Sequence, residues 1–410
     1  MNHLLPKSQI AAPRAIPRNV WATTATSFLT DISSEMIFNL VPLFLANVLG
    51  ISTAIIGLID GIAETTSSLL KVVSGRLSDR LRRRKRLAVA GYAISTFAKP
   101  FLYGTTTWAG VLAVRFADRV GKGVRTSPRD ALIADSTDAH HRGIAFGLHR
   151  AGDTAGAVVG LVIALAVVLA TQAQALTLSR STFQTLVLIG IVPAALGVIV
   201  LALGAREVPF KPRSGPQPDL SFSALSGEFK FFLLVVALFT LGNSSDSFLI
   251  LRAQERGLTI AGILGMLITF NLVYTLFSSP LGMLSDRLGR KRVILAGWLL
   301  YSLVYLGFAL VASAAQVWVL YGVYGLYYAA FEGTARALVA DLTPVEQRGT
   351  AYGFYNATVG LVALPASVLA GVLWQGVGGW PGLGPRAPFF TGAALAFLAV
   401  ALIAIRWRGK

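Results

Sequence analysis

Acidic and basic residues stand at helical intervals within long, mostly uncharged stretches of this chain. Asp31 and Glu35 are four residues apart, and Arg115, Arg119 and Lys122 follow one another at intervals of four and three. Residues three or four apart lie on the same face of an α-helix. One face would then present carboxylates that take up and release protons, and another would present cations that bind an anionic group. The spacing therefore predicts proton or ion chemistry.

The surrounding sequence is typical of a membrane protein. Of the 410 residues, 54% are hydrophobic and 13% are charged, and the mean hydropathy is +0.66. A soluble domain has no core large enough to bury so much apolar surface. With about 20 residues needed for each helical span, we predict an all-α membrane protein with twelve transmembrane helices. These spans lie near residues 20–48, 53–74, 87–104, 108–133, 143–170, 182–203, 229–252, 260–280, 293–312, 315–340, 349–373 and 388–405.

The distribution of Lys and Arg predicts the orientation of these spans. Basic residues cluster in the loops of one side, whereas the predicted loops of the other side hold only Arg180, Arg256 and Arg386. Short basic loops stay in the cytoplasm, so we expect a multi-pass protein of the plasma (inner) membrane with both termini on the cytoplasmic side. The same rule accounts for the net charge of +17 without a nucleic-acid partner. Since no cysteine is present, disulfides and thiolate metal sites are excluded.

A short block with the pattern Gly-x-Leu-Ser-Asp-Arg occurs twice, each time between two apolar runs. Its two aspartates are 207 residues apart (286 − 79). A second landmark, Arg142-Gly143 and Arg348-Gly349, repeats at nearly the same interval, so one membrane module is present twice. The repeated block comprises Gly75, Asp79 and Arg80 in the first copy and Gly282, Asp286 and Arg287 in the second.

The paired turns resemble the signature loop of the major facilitator superfamily, and the resemblance covers essentially the whole chain. It implies two six-helix bundles around a central cavity that works by alternating access. Placed on this sequence, a cytoplasmic leader covers residues 1–19 and the bundles cover 20–203 and 229–410. The linker 204–228 is rich in proline, serine and charge, which suits an irregular cytoplasmic segment.

One stretch of predicted helix 4 also resembles the superfamily. Arg119-Val-Gly-Lys122-Gly123 is similar to its Arg-x-x-polar-Gly motif, and the resemblance implies that Arg119 is a cavity arginine that interacts with helix 1 and helps to gate protons. The proton-coupling acid would be Asp31 or Glu35, and Asp153 stands where the superfamily carries its helix 5 antiporter motif. The alternative for each residue is a closed ion pair that holds the first bundle together.

Substrate-binding candidates are predicted on both halves. The first half is rich in intramembrane charge, whereas the second carries an aromatic, hydrogen-bonding set that would form the facing wall. For the aromatic residues, ordinary packing is the alternative interpretation. The candidates are Arg115, Arg119, Lys122 and Glu64 in the first half, and Asn271, Tyr324, Tyr328 and Glu332 in the second.

The repeated turns are predicted to act in conformational gating. Asp79 and Asp286 would accept hydrogen bonds from helix-end amides or pair with arginines across the bundle interface. Such contacts would favour the state closed to the cytoplasm. Gly75, Arg80, Gly282 and Arg287 complete the gating set.

These observations predict a proton-coupled secondary transporter of a small organic solute. The bases of helix 4 favour an anionic or metal-chelating solute, and the runs from Arg115 to Asp130 and from Asp31 to Met36 resemble a bacterial subgroup associated with siderophore and metal-citrate traffic. The alternative is efflux of lipophilic cations by proton antiport, favoured by the acids. An enzyme is not expected, since the sequence has no nucleophile constellation, metal cluster or phosphate-binding loop. No cofactor is expected, and a monomer holds both halves.

Overall fold

The computed structural model describes residues 16–81, 83–138, 141–208, 222–344 and 347–408. Within these ranges the chain is almost entirely helical. Residues 1–15 of the predicted leader 1–19 and residues 209–221 of the predicted linker 204–228 lie outside the described residues. The helices are α1 Arg18–Phe38, α2 Thr53–Leu81, α3 Arg84–Ala98, α4 Trp108–Asp135, α5 Arg142–Gln172, α6 Arg180–Gly204, α7a Gly227–Gly242, α7b Ser247–Glu255, α8 Ile260–Leu288, α9 Arg290–Leu310, α10 Ala314–Asp341, α11 Arg348–Gln375 and α12 Ala387–Arg408.

Two of the predicted spans are interrupted. After α1 the chain continues through the short helical segments Val41–Leu43 and Phe44–Val48. The span predicted at 229–252 is broken between α7a and α7b, where the sequence reads Asn-Ser-Ser-Asp. Short polar side chains of this kind compete with the backbone for hydrogen bonds, which weakens a helix. The Tyr301 hydroxyl donates to the freed carbonyl of Gly242 at 3.0 Å.

The packing of the helices repeats between the first half (α1–α6) and the second half (α7a–α12). In the first half α1 packs on α5 and α6, α4 packs on α2 and α3, and α3 packs on α6. In the second half α7a packs on α11 and α12, α10 packs on α8 and α9, and α9 packs on α12. The duplicated turns of the sequence thus correspond to a duplicated packing scheme. The halves meet where α2 contacts α11 and where α5 contacts α8.

Among the described helices, eight are long and apolar enough to cross a membrane by length and composition. Helices α2, α3, α4 and α10 do not belong to this set. Helix α3 has only 15 residues, and α2 and α4 carry many ionisable side chains. The expectation of twelve spans therefore stays a prediction. The eight segments are Arg18–Val48, Arg142–Gln172, Arg180–Gly204, Gly227–Glu255, Ile260–Leu288, Arg290–Leu310, Arg348–Gln375 and Ala387–Trp407.

The two ends of the molecule differ in how closely the halves approach. We call the end that carries the repeated turns after α2 and α8 the basic end, and the other the opposite end. Towards the opposite end α2 and α11 are in direct contact. A Cβ added to Gly57 would lie 2.1 Å from the Ser367 carbonyl oxygen, and a Cβ added to Gly371 would lie 2.3 Å from the Thr53 carbonyl oxygen. Near the basic end, a Cβ on Gly353 would meet no heavy atom within 4 Å. The halves are therefore in close contact at the opposite end, whereas α11 has open space beside Gly353 near the basic end.

Candidate functional site

A cavity of about 470 Å³ lies between the two halves. Its walls come from α1, α2 and α4 on one side and from α7a, α7b, α10 and α11 on the other. Among the described residues, six acids and four bases line it. They are Asp31, Glu35, Asp60, Glu64, Asp118 and Asp246, with Arg115, Arg119, Lys122 and Arg125.

The structure places most of the charged candidates of the first half on this cavity. Helical spacing explains the result, since residues four apart on α1 and three or four apart on α4 face the same way. In the second half Tyr328 reaches the cavity wall. The predicted residues that line the cavity are Asp31, Glu35, Glu64, Arg115, Arg119, Lys122 and Tyr328.

The other four substrate or proton candidates lie away from the cavity wall. Asn271 donates to the Leu267 carbonyl of its own helix at 3.0 Å. Tyr324 is fully buried behind the wall. Glu332 accepts from Arg150 at 2.9 Å in an ion pair between the halves. Sequence spacing identifies the helix face but not how deeply a side chain is covered by its neighbours.

Asp153 lies on α5, where it faces His149. The Nε2 of His149 is 3.7 Å from the Asp153 carboxylate, which is too long for a hydrogen bond. Both nitrogens of His149 and one carboxylate oxygen of Asp153 are buried without a hydrogen-bond partner. Asp153 is also near enough to Asp31 to interact with it electrostatically. It therefore stands beside the acids of α1 without lining the cavity.

A buried polar contact at Asp60 joins α2, α4 and the start of α7b. Arg115 donates to Asp60 Oδ1 at 3.0 Å, and both side chains are almost fully buried. The Ser245 hydroxyl donates to Oδ2 at 2.9 Å, and that of Ser247 donates to the same atom. These serines belong to the break in helix 7, so the break brings donors from the second half to an acid of the first. Asp60 was not among the predicted site residues, although the Asn-Ser-Ser-Asp-Ser run is a readable signal of an interrupted helix.

Most other charges of the cavity have no ion-pair partner. Asp60 and Arg115 form the closed ion pair that was the alternative interpretation of such residues. In contrast, no carboxylate of the described part of the chain lies within 4.0 Å of Arg119 or Lys122. The Nε of Arg119, and the Nε and Nη1 of Arg115, are buried without a hydrogen-bond partner. Glu64 interacts with Arg119 and Lys122 electrostatically at longer range. Guanidinium groups with free donors can bind an anionic group of a solute.

The facing wall combines a carboxylate with aromatic rings. Asp246 lies in the break between α7a and α7b, and its Oδ1 accepts from the Tyr324 hydroxyl at 3.0 Å. The ring of Tyr328 packs edge-to-face on those of Tyr324 and Phe270, with centroids 5.2 and 5.3 Å apart. Those contacts fix both groups at the surface of the cavity.

Different contacts connect the halves at the two ends of the molecule. At the opposite end, Asn47 and Gln254 exchange hydrogen bonds, and the Thr53 amide donates to the Gln375 side chain at 2.7 Å. Towards the basic end, Glu332 joins Arg150 and also accepts from the Tyr274 hydroxyl at 2.6 Å. The opposite end thus closes the cavity through neutral hydrogen bonds.

The repeated turns lie at the basic end. Asp286 is largely exposed and lies 3.7 Å from Arg290 of its own half, which also pairs with Asp341 at 2.6 Å. Gly282 has open space beside it. The side chain of Asp79 lies outside the described residues, and Gly75, Arg80 and Arg287 lie on the last turns of α2 and α8. In this conformation the described gating residues form no hydrogen bond or ion pair with the other half of the molecule.

No group of three or more potential ligand side chains is placed to hold a metal ion in the described ranges. The arrangement is instead a charged, partly aromatic chamber closed at one end. Such a chamber suits reversible binding of a polar solute.

Comparisons with known proteins agree with this geometry. The family model described as Major Facilitator Superfamily matches residues 23–270 and 232–410. An uncharacterized MFS-type transporter of Methanocaldococcus jannaschii is 37% identical, with 95% of each chain covered. The crystal structure of a POT family transporter in complex with a thioalcohol-conjugated peptide superposes with a TM-score of 0.79 at 14% identity, covering 97% of this chain and 99% of the other. The class B tetracycline resistance protein of Escherichia coli is 33% identical over 36% of this chain and 35% of its own.

Proposed function

Because the chain belongs to the major facilitator superfamily and is a transporter rather than an enzyme, we propose that it is a proton-coupled secondary active transporter. It moves a small organic solute across the inner membrane by alternating access. The cavity between two similarly packed halves supports this proposal. A solute bound there is exposed at one end of the molecule while the other end is closed.

The proposed architecture has twelve spans in two six-helix bundles, 20–203 and 229–410, joined by the linker 204–228. The repeated helix packing and the 207-residue interval support it. The excess of basic residues at one end supports cytoplasmic termini. With that orientation, the present conformation is open to the cytoplasm and closed to the outside.

The solute carries an anionic group or is a metal chelate. The observation that carries this proposal is Arg119, whose Nε is buried at the cavity without a partner, next to Lys122. An unpaired guanidinium in a low-dielectric site is costly, and a carboxylate, phosphate or chelate oxygen would offset that cost. Asp31 and Glu35 on the same cavity carry the coupled proton, with Asp153 beside them.

Efflux of lipophilic cations by proton antiport is the second candidate. Two observations favour it: the acids that line the cavity outnumber the bases, and part of the chain is similar to a tetracycline resistance protein. Under this alternative the acids of α1 and α2 would bind the cation and Arg119 would hold them in place.

Thermal stabilisation of the purified protein distinguishes the two candidates. The probes are citrate, ferric citrate and tetraphenylphosphonium, tested on wild type, Arg119→Ala, Asp31→Asn and the exposed control Arg386→Ala. We expect citrate or ferric citrate to raise the melting temperature of wild type and of Arg386→Ala but not of Arg119→Ala. Stabilisation by tetraphenylphosphonium alone, lost in Asp31→Asn and kept in Arg119→Ala, would replace anion transport by cation efflux.

A further inference from the structure

We infer that the solute is bipolar, and that the wall formed by the second half binds its cationic amine between Asp246 and the ring of Tyr328. The inference rests on the proposed function and deepens it, because it assigns a substrate class to the same cavity. The anionic group of the solute would lie against α4 and its ammonium group against helix 7 and α10. Small amine-carboxylates have this distribution of charge.

The Asp246 carboxylate has no cationic partner among the described residues. It lines the cavity and is only half-buried, so one side of the group is open to a solute. Its single recorded hydrogen bond, from Tyr324, leaves acceptor positions free. The described residues place no Lys, Arg or His within 4.0 Å of it. Asp60, in contrast, has its two oxygens occupied by Arg115 and by two serine hydroxyls.

Tyr328 supplies the second part of the amine site. An ammonium ion within about 6 Å of an aromatic ring face is attracted to the ring, more strongly in a desolvated site. Tyr328 lines the cavity and is fixed by edge-to-face contacts with Phe270, Tyr324 and Tyr327, whose centroids lie 5.2 to 5.3 Å away. A ring held in this way is preorganised, so binding costs little side-chain entropy. Asp246 and Tyr328 are near enough to interact electrostatically.

The first-half wall carries acids as well as bases, so the division concerns its unpartnered donors, which lie on α4. Asp60, Glu64 and Glu35, on α1 and α2 of the first half, add negative potential at Asp246 and so favour a cation beside it. On the first-half wall, Arg119 and Arg115 have buried donors without partners, and both belong to α4. A solute with a single charge would leave either the unpartnered donors of α4 or the Asp246 carboxylate uncompensated in a poorly solvated space. A solute that carries both charges satisfies the two walls at once.

The test uses three compounds with the same carbon skeleton: 6-aminohexanoate, hexanoate and hexylamine. Binding is measured by the shift in melting temperature as a function of concentration. We expect wild type to bind 6-aminohexanoate at least tenfold more tightly than either analogue. Asp246→Asn should remove this preference while keeping its affinity for hexanoate, and Asp138→Asn, an exposed acid outside the cavity, should behave as wild type. Tyr328→Leu should weaken only the compounds that carry an amine, and Tyr328→Phe should restore their affinity.

If Asp246→Asn fails to fold, the two variants Tyr328→Leu and Tyr328→Phe still test the inference. Equal affinity for hexanoate and 6-aminohexanoate in wild type would overturn the bipolar solute and leave anion transport standing if Arg119→Ala abolishes both. A preference for the amine that survives Asp246→Asn or Tyr328→Leu would overturn the site. Absence of any shift with 6-aminohexanoate would also overturn it. Tight binding of hexylamine alone would contradict both this inference and the proposed anion transport.

Discussion

Asn47 and Gln254 are 207 residues apart and exchange two hydrogen bonds across the halves of the molecule. Asn47 Nδ2 donates to Gln254 Oε1 at 3.1 Å, and Gln254 Nε2 donates to Asn47 Oδ1 at 2.7 Å. The interval equals that between the repeated turns, so the two amides occupy equivalent positions of the two copies. The same holds for Thr53 and Ile260, whose amides donate to residues near the ends of α11 and α5. The opposite end is thus closed by a contact that follows the internal repeat.

The amide pair predicts a shift in conformational equilibrium. Asn47→Ala removes both bonds, and with roughly 0.5 to 1.5 kcal/mol for each, the closed state should lose about 1 to 3 kcal/mol relative to the open one. It also removes the hydrogen bond that Asn47 Oδ1 accepts from the Leu178 amide, which lies within the first half. Spin labels on Leu176→Cys and Leu383→Cys, which are exposed on the two halves at this end, report the distance. The chain has no native cysteine, so labelling is specific.

We expect the distance distribution of Asn47→Ala to gain a longer component. Gln254→Ala should give this component at least as strongly, because it also removes the bond from Gln254 to the Leu176 carbonyl. The double variant should therefore add little to Gln254→Ala. The labelled protein with Arg386→Ala serves as the control. Unchanged distances in both single variants would show that the amide pair does not hold this end closed.

The Asp60–Arg115 pair predicts a large loss of stability on truncation. Asp60→Ala leaves the Arg115 guanidinium buried without its counterion, which typically costs about 3 to 5 kcal/mol. Arg115→Ala should be similarly destabilising. The double variant should lose less free energy of unfolding than the two single variants lose together. Thermal unfolding of the four proteins measures the coupling. Additive losses would mean that the two charges are independently solvated.

The close approach of α2 and α11 predicts that a side chain at Gly57 blocks closure. A Cβ there would lie 2.1 Å from the Ser367 carbonyl oxygen, a distance that backbone atoms do not tolerate. Gly57→Ala should therefore open the opposite end and reduce transport, with the same spin-label pair reporting the change. Gly379→Ala, where a Cβ would meet no heavy atom within 4 Å, is the matched control. Full transport by Gly57→Ala would contradict tight closure at this point.

Of the ten charged residues that line the cavity in the described part of the chain, six were site candidates, and Asp60, Asp118, Arg125 and Asp246 were not. The spacing of Asp31 with Glu35, and of Arg119 with Lys122, depends only on helix geometry, which does not change with tertiary context. The ends of the helices were less accurate. Helix α2 continues to Leu81, beyond the predicted end at residue 74, because a helix extends past the apolar segment where its polar residues meet water.

The partners of the site residues were not predictable from the sequence. Asp60 receives donors from Ser245 and Ser247, which are far away in the chain and become neighbours only through the packing of the two halves. Tyr324 and Tyr328 share a helical stripe, but neighbouring helices cover the first and leave the second at the cavity. Such contacts depend on three-dimensional packing that spacing along one helix does not contain.

Uptake by proteoliposomes under an imposed proton gradient tests the central claim most directly. Labelled citrate, ferric citrate and 6-aminohexanoate are the probes, because each is too polar to cross the bilayer unaided. We predict accumulation of at least one probe that is abolished by a protonophore and by Arg119→Ala and is retained in Arg386→Ala. Failure of every probe to accumulate, or accumulation that survives either the protonophore or Arg119→Ala, would contradict proton-coupled transport through the charged cavity.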